Sequence, residues 1–167
     1  YRTFVAAAAL AILAGVPAVA AEVKPFADPS RLVSIGGSLT EIVYALGQGH
    51  DLVARDTTAT YPEAAGNLPD VGYMRALSPE SVLSVNPSAI LVVAGSGPAD
   101  ALDVIEKAGV PYIEVPDDYS GQGIVDKVLT VGMALGVPVK ARALADDLKE
   151  QLAEITAATA KVTAPKR

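Results

Sequence analysis

The 167-residue chain has no cysteine and no tryptophan, a single histidine, two phenylalanines and only 13 Lys and Arg residues. Without cysteine there is no disulfide, no thiolate zinc site and no cysteine nucleophile. One imidazole, His50, cannot build a multi-histidine metal centre, so any metal chemistry must use oxygen ligands or arrive inside an imported group. No run of Lys or Arg offers the basic stripe that releases counterions from phosphates, and a net charge of −6 argues further against nucleic-acid binding. Charged residues are scarce too, at 19% against 51% apolar. That balance excludes a disordered acidic tail and leaves enough apolar surface for one ordinary domain.

Residues Phe4 to Val16 are uncharged and rich in Ala, Leu and Val, with Arg2 before them and the small-residue run Pro17-Ala18-Val19-Ala20-Ala21 after them. This pattern predicts a secretory signal over residues 1–21 that has lost its first residues, and hence a periplasmic protein. The apolar stretch is too short to span a bilayer, which takes roughly 20 residues, so no stable membrane insertion of the mature chain is expected. The chain opens on Tyr1 rather than Met and stops at Lys166-Arg167 straight after a helical stretch, so it reads as a piece of something longer.

From Arg31 onward short apolar runs alternate with longer amphipathic ones, which predicts an α/β fold, a Rossmann-like parallel sheet flanked by helices. Leu32-Val33-Ser34-Ile35, Leu52-Val53-Ala54-Arg55, Ala89 to Ala94 and Tyr112-Ile113-Glu114-Val115 read as the strands. Gly36-Gly37 turns the chain, and Ser38 with Glu41 three residues on predicts a capping box for a helix closed by Gly47. Ser78-Pro79-Glu80 starts a short helix, with the cap, the first-position proline and the first-turn acid in order. Between them Asp56 to Tyr73 carries too many Gly and Pro residues for a long element and reads as a functional loop. After Pro138, Leu144, Leu148, Leu152 and Ile155 recur at helical spacing, predicting one helix over 138–162, longer than a four-strand sheet needs.

Neither Gly36-Gly37-Ser38 nor Gly95-Ser96-Gly97-Pro98 has the spacing of a nucleotide-binding loop. Both follow strands in this reading, and so lie outside the carboxyl ends of a parallel sheet, where open sheets bind ligands. His50 falls in a helix-to-strand connector at the opposite sheet end and reads as a solvated surface residue. Asp117-Asp118-Tyr119 reads as a hydrophilic turn on the ligand side. In Val71-Gly72-Tyr73-Met74-Arg75, Gly72 frees the backbone to present the Tyr73 phenol, and Arg75 can place a permanent cation beside it. Ferric iron and a guanidinium together favour a phenolate, and tyrosine is a known axial ligand type for haem iron. An exposed loop tyrosine that merely packs or hydrogen-bonds is the plainer alternative.

Three segments, Arg31 to Gly47, Val71 to Glu80 and Leu83 to Leu91, resemble the periplasmic haem-binding proteins of bacterial haem-uptake ABC transporters, within the class that carries ferric siderophores and vitamin B12. The resemblance implies two α/β lobes joined by a long helix: here an N-terminal lobe at 22–137 and an inter-lobe helix at 138–162, with the second lobe absent from this chain. It further implies haem as transported ligand, Tyr73 as iron ligand and Arg75 as its support. Glu80 becomes the docking point for the transporter permease. The cleft wall falls to Gly36, Gly37, Ser38, Thr57, Met74, Ser96 and Gly97. The expected function is capture of haem for an inner-membrane importer, with no chemistry of its own. A ferric siderophore or corrinoid carrier of the same fold is the first alternative; a secreted α/β enzyme is the second, and lacks a positioned base.

Overall fold

A computed structural model describes residues 23–160; the expected export signal at 1–21 and residues 161 and 162 of the expected inter-lobe helix lie outside the described residues. Strands β1 (Leu32–Ile35), β2 (Leu52–Arg55), β3 (Ala89–Val93) and β4 (Tyr112–Val115) form one sheet in the order β2-β1-β3-β4, every pairing parallel. Helices α1 (Gly37–Ala45), α2 (Pro79–Ser84), α3 (Ala99–Lys107), α4 (Gly121–Ala134) and α5 (Pro138–Thr159) connect and cover it. The chain is thus the parallel, helix-flanked α/β fold that the alternation predicts.

Strand β3 shows why the sheet has to be covered twice. Ala89, Leu91 and Val93 enter one core and Ile90 and Val92 the other, the two-residue period of a strand buried on both faces. The first core is closed by Leu39 and Val43 of α1, by Val125, Val128 and Val131 of α4, and by Ala141 and Ala145 of α5. The second is closed by Val82 of α2 with Ala101 and Ile105 of α3. Each buried Leu, Ile or Val contributes roughly 1.5–3 kcal/mol by leaving water. The chain leaves β1 toward β2 and then returns to β1's other side as β3, so a topological switch point opens at the carboxyl ends of β1 and β3.

Helix α1 departs from its expected start. It begins at Gly37 with Gly36 as N-cap, and no side chain caps it from within the helix, so the Ser38–Glu41 box does not form. The reason is tertiary. Gly36 turns the chain at φ +115°, and the Gly36 and Gly37 N–H groups donate to the Asp56 carboxylate and the Thr58 hydroxyl of another loop, both at 2.9 Å. Helix α2 follows its signal, with Pro79 first and the Ser78 hydroxyl accepting from the Ser81 N–H.

At the amino end of the sheet Arg31 clasps the entry to β3, donating to the Val85 and Asn86 carbonyls, while Asn86 takes the left-handed conformation at φ 51° that asparagine tolerates. Helices α4 and α5 pack closely because Gly132 faces Ala141, where an added Cβ would lie 2.1 Å from the Ala141 methyl. Helix α5 runs 22 residues, about 33 Å at 1.5 Å per residue. Its first half is anchored on α4, whereas every residue from Ala153 to Ala160 is exposed. Among the described residues no helix is long and apolar enough to cross a membrane.

Candidate functional site

Asp56, the residue directly after β2, is fully buried and joins two loops at the sheet's carboxyl edge. Its carboxylate accepts from the Gly36 N–H after β1 and from the N–H and hydroxyl of Thr58, at 2.9 to 3.1 Å. The two segments touch: a Cβ on Gly37 would come within 2.7 Å of the Thr58 carbonyl oxygen. Only glycine permits that approach.

The segment carrying Tyr73 is fastened to the same edge. Arg55 N–H donates to the Pro69 carbonyl and Val71 N–H to the Arg55 carbonyl, so residues 69–71 run beside the end of β2 as a short parallel bridge. Thr57 N–H then donates to the Gly72 carbonyl at 3.0 Å. Gly72 holds φ +104°, a conformation that a side chain would strain. Tyr73 opens a turn closed by Ala76 N–H on the Tyr73 carbonyl at 2.8 Å. Beyond it Gly97, after β3, donates to the Met74 carbonyl and accepts from Leu77 N–H, at 2.8 and 2.9 Å. The turn therefore hangs between the tips of β2 and β3, and Tyr73 stands on it 45% exposed.

Arg75 is exposed on the same turn, and its charge reaches Asp117 in the loop after β4. Asp117 is ion-paired with Lys127 of α4, a lysine only 8% exposed, whose ammonium also lies 3.5 Å from the Ser38 hydroxyl. The hydrogen bond from Lys127 holds the Asp117 carboxyl below its usual range against the opposing effect of burial, and the charges of Lys127 and Arg75 add to the lowering. Tyr119, 90% exposed, stands beside this group. The edge thus offers two exposed phenols, Tyr73 and Tyr119, the cations of Arg75 and Lys127, the Asp117 carboxylate and the Ser38 hydroxyl.

The expected site residues fall into two layers. Tyr73, Arg75, Ser38 and Thr57 are exposed at the edge. Gly36 and Gly97 are buried, with backbone groups engaged in the loop-to-loop bonds, and Met74 packs partly buried against both cores. Gly37 is half-buried against Thr58, and the Ser96 hydroxyl turns back to the Val93 carbonyl at 2.7 Å. These five lie beneath the exposed layer. Glu80 is exposed in the first turn of α2, and the hydrogen bond from the Ser78 hydroxyl lowers its carboxyl pKa. His50 sits exposed in a 3-10 turn, Gly49–Asp51, leading into β2 at the other end of the sheet.

Three residues that organise the site carry only a faint sequence signal or none. Asp56 and Asp70 each accept from the N–H two residues on, the Asx-turn geometry, so an aspartate after a strand or before Val-Gly was a readable cue. Lys127 pairs with a carboxylate from a separate loop, and no spacing announces it.

The chain matches the family described as Periplasmic binding protein over residues 32–167. It is 37% identical to the structure of the periplasmic heme-binding protein RhuT from Roseiflexus sp. RS-1 in apo form, with a TM-score of 0.79, covering 81% of this chain and 52% of that one. It is 33% identical over 130 residues to the uncharacterized ABC transporter substrate-binding lipoprotein YvrC of Bacillus subtilis (strain 168), covering 77% of this chain and 41% of that protein. It is 36% identical over 123 residues to the vitamin B12-binding protein of Yersinia pestis (strain Pestoides F), covering 74% and 39%. The chain thus spans about half, or somewhat less, of the proteins it matches. With a family match running from the first strand to the last residue, on a sheet whose order opens a crevice at β1 and β3, the chain belongs to the periplasmic binding protein family.

Proposed function

We propose that the full-length protein captures ferric haem in the periplasm and delivers it to the permease of an ABC importer. The observation that carries this reading is Tyr73, an exposed phenol on a turn fastened at both ends to the carboxyl edge of the sheet. A phenolate is a hard oxygen ligand for ferric iron, and binding to the metal makes the anion favourable near neutral pH. Arg75 on the same turn supplies a cation to support the iron-bound oxygen. Ser38 and Thr57 line the ligand side, the Thr57 hydroxyl donating to Asp70, over the layer formed by Gly36, Gly37, Met74, Ser96 and Gly97. Glu80, ionised and exposed, docks on a basic group of the permease. The 37% identity to a structure described as heme-binding supports the choice of ligand. In this reading residues 1–21 direct export, 22–137 form one lobe, and the helix over 138–162 leads to a second lobe.

A corrinoid is the second reading, favoured by the 36% identity to a vitamin B12-binding protein. Titrating the full-length protein with hemin and with cyanocobalamin separates the two. Hemin binding with a phenolate-to-iron charge-transfer band that Tyr73→Phe abolishes is the expected result. Cyanocobalamin binding without hemin binding overturns it.

A further inference from the structure

The Asp70 carboxylate gathers donors from three places. Its Oδ1 accepts from the Gly72 N–H at 2.8 Å and the Thr57 hydroxyl at 3.1 Å, and its Oδ2 accepts from Arg55 Nη1 at 2.6 Å. Arg55 ends β2, is largely buried, and donates also to the Asp56 carbonyl at 3.2 Å, so its guanidinium is fixed to the sheet. Gly72 is therefore gripped on both sides: its N–H by Asp70 and its carbonyl by the Thr57 N–H. Glycine is the residue with most backbone freedom to lose, and a free φ at Gly72 would loosen the short stretch before the Met74–Gly97 bond. The next residue is Tyr73.

We propose that Asp70 is the positioning residue of the Tyr73 site: by locking Gly72 at φ +104° it presents the phenol oxygen in one direction before ligand arrives. This rests on the reading of Tyr73 as iron ligand. Preorganisation of this kind raises affinity by removing the ordering cost from the binding step. A merely structural role predicts a different pattern. The Asp70 side chain is 41% exposed but that of Arg55 only 14%, so losing the ion pair lowers stability through a poorly solvated guanidinium; on a structural role alone that loss leaves the iron band and the hemin affinity unchanged.

The test is hemin titration of the full-length protein, followed by affinity and by the phenolate-to-iron band, with thermal unfolding alongside. Asp70→Ala is expected to weaken hemin binding about tenfold, the equivalent of 1.4 kcal/mol, and to broaden or lose the band. The melting temperature should fall as well, by a few degrees. Asp70→Asn, whose carbonyl oxygen can keep both Oδ1 partners, is expected to restore the band. Gly72→Ala strains the same hinge without touching Asp70 and is expected to copy the alanine variant, which keeps the claim testable should Asp70→Ala not fold. Tyr73→Phe separates the two levels. If it binds hemin with the parent's affinity and spectrum, the haem-ligand reading falls. If it loses the band while Asp70→Ala and Gly72→Ala keep both band and affinity, the positioning role falls and the reading stands.

Discussion

Replacing Asp56 with alanine tests the idea that the loops at the carboxyl edge of the sheet are held by one buried carboxylate. The parent side chain is fully buried and accepts the Gly36 N–H at 2.9 Å, the Thr58 N–H at 3.1 Å and the Thr58 hydroxyl at 2.9 to 3.0 Å. Thr58 is exposed, so its groups can turn to water. Gly36 is buried and its N–H cannot. The orphaned donor costs about 1–3 kcal/mol, and losing a charge-assisted bond costs a comparable amount, offset by no longer having to bury a carboxylate. A net loss of roughly 2–4 kcal/mol is expected, against a total stability of about 5–15 kcal/mol. In urea the midpoint should fall by about 1–2 M at unchanged slope. Amide hydrogen exchange adds a local readout: the Gly36 N–H, protected in the parent, should exchange fast in the variant. A midpoint within about 0.2 M of the parent, with Gly36 still protected, would refute the reasoning.

Three further outcomes can be measured. Lys127→Met strands Asp117, whose side chain is 24% exposed and can partly rehydrate, so the expected destabilisation is about 1–3 kcal/mol rather than the larger cost of a wholly buried partner. The Asp117 carboxyl is held below its ordinary value in the folded state, so its contribution is present above that ordinary value and lost as pH falls from there through the lowered folded value; Asp117→Asn should flatten the acid limb of a stability profile measured from about pH 6 to pH 2. Gly36→Ala would place a methyl 2.5 Å from Val93 Cγ1 at φ +115° and should cost about 2–4 kcal/mol, whereas Gly66→Ala meets no atom within 4 Å and should change thermal stability by less than about 1 kcal/mol.

The strands and helices were legible because each is announced locally. The apolar run at Ala89 to Val93, the Ser78-Pro79-Glu80 start and the uninterrupted Leu spacing after Pro138 all state their element without reference to distant residues. The capping of α1 was not legible, since its donors are met by Asp56 and Thr58, about 20 residues on, and only the strand order brings those residues to Gly36 and Gly37. The position of Tyr73 was readable from Val-Gly-Tyr, but not the fastening of its turn to Gly97. That the charge of Arg75 is also felt by Asp117 on another loop was not legible, because the order of β3 and β4 sets that proximity.

The turn bearing Tyr73 reaches from the tip of β2 to the tip of β3, and β1 lies between those two strands. Its span is therefore two interstrand steps, about 10 Å, a length dictated by peptide hydrogen bonding and indifferent to side-chain identity. The phenol stands on a bridge whose abutments belong to the sheet. Drift in the exposed residues of the turn can alter its surface chemistry while leaving the backbone that carries Tyr73 anchored at the spacing of the strands.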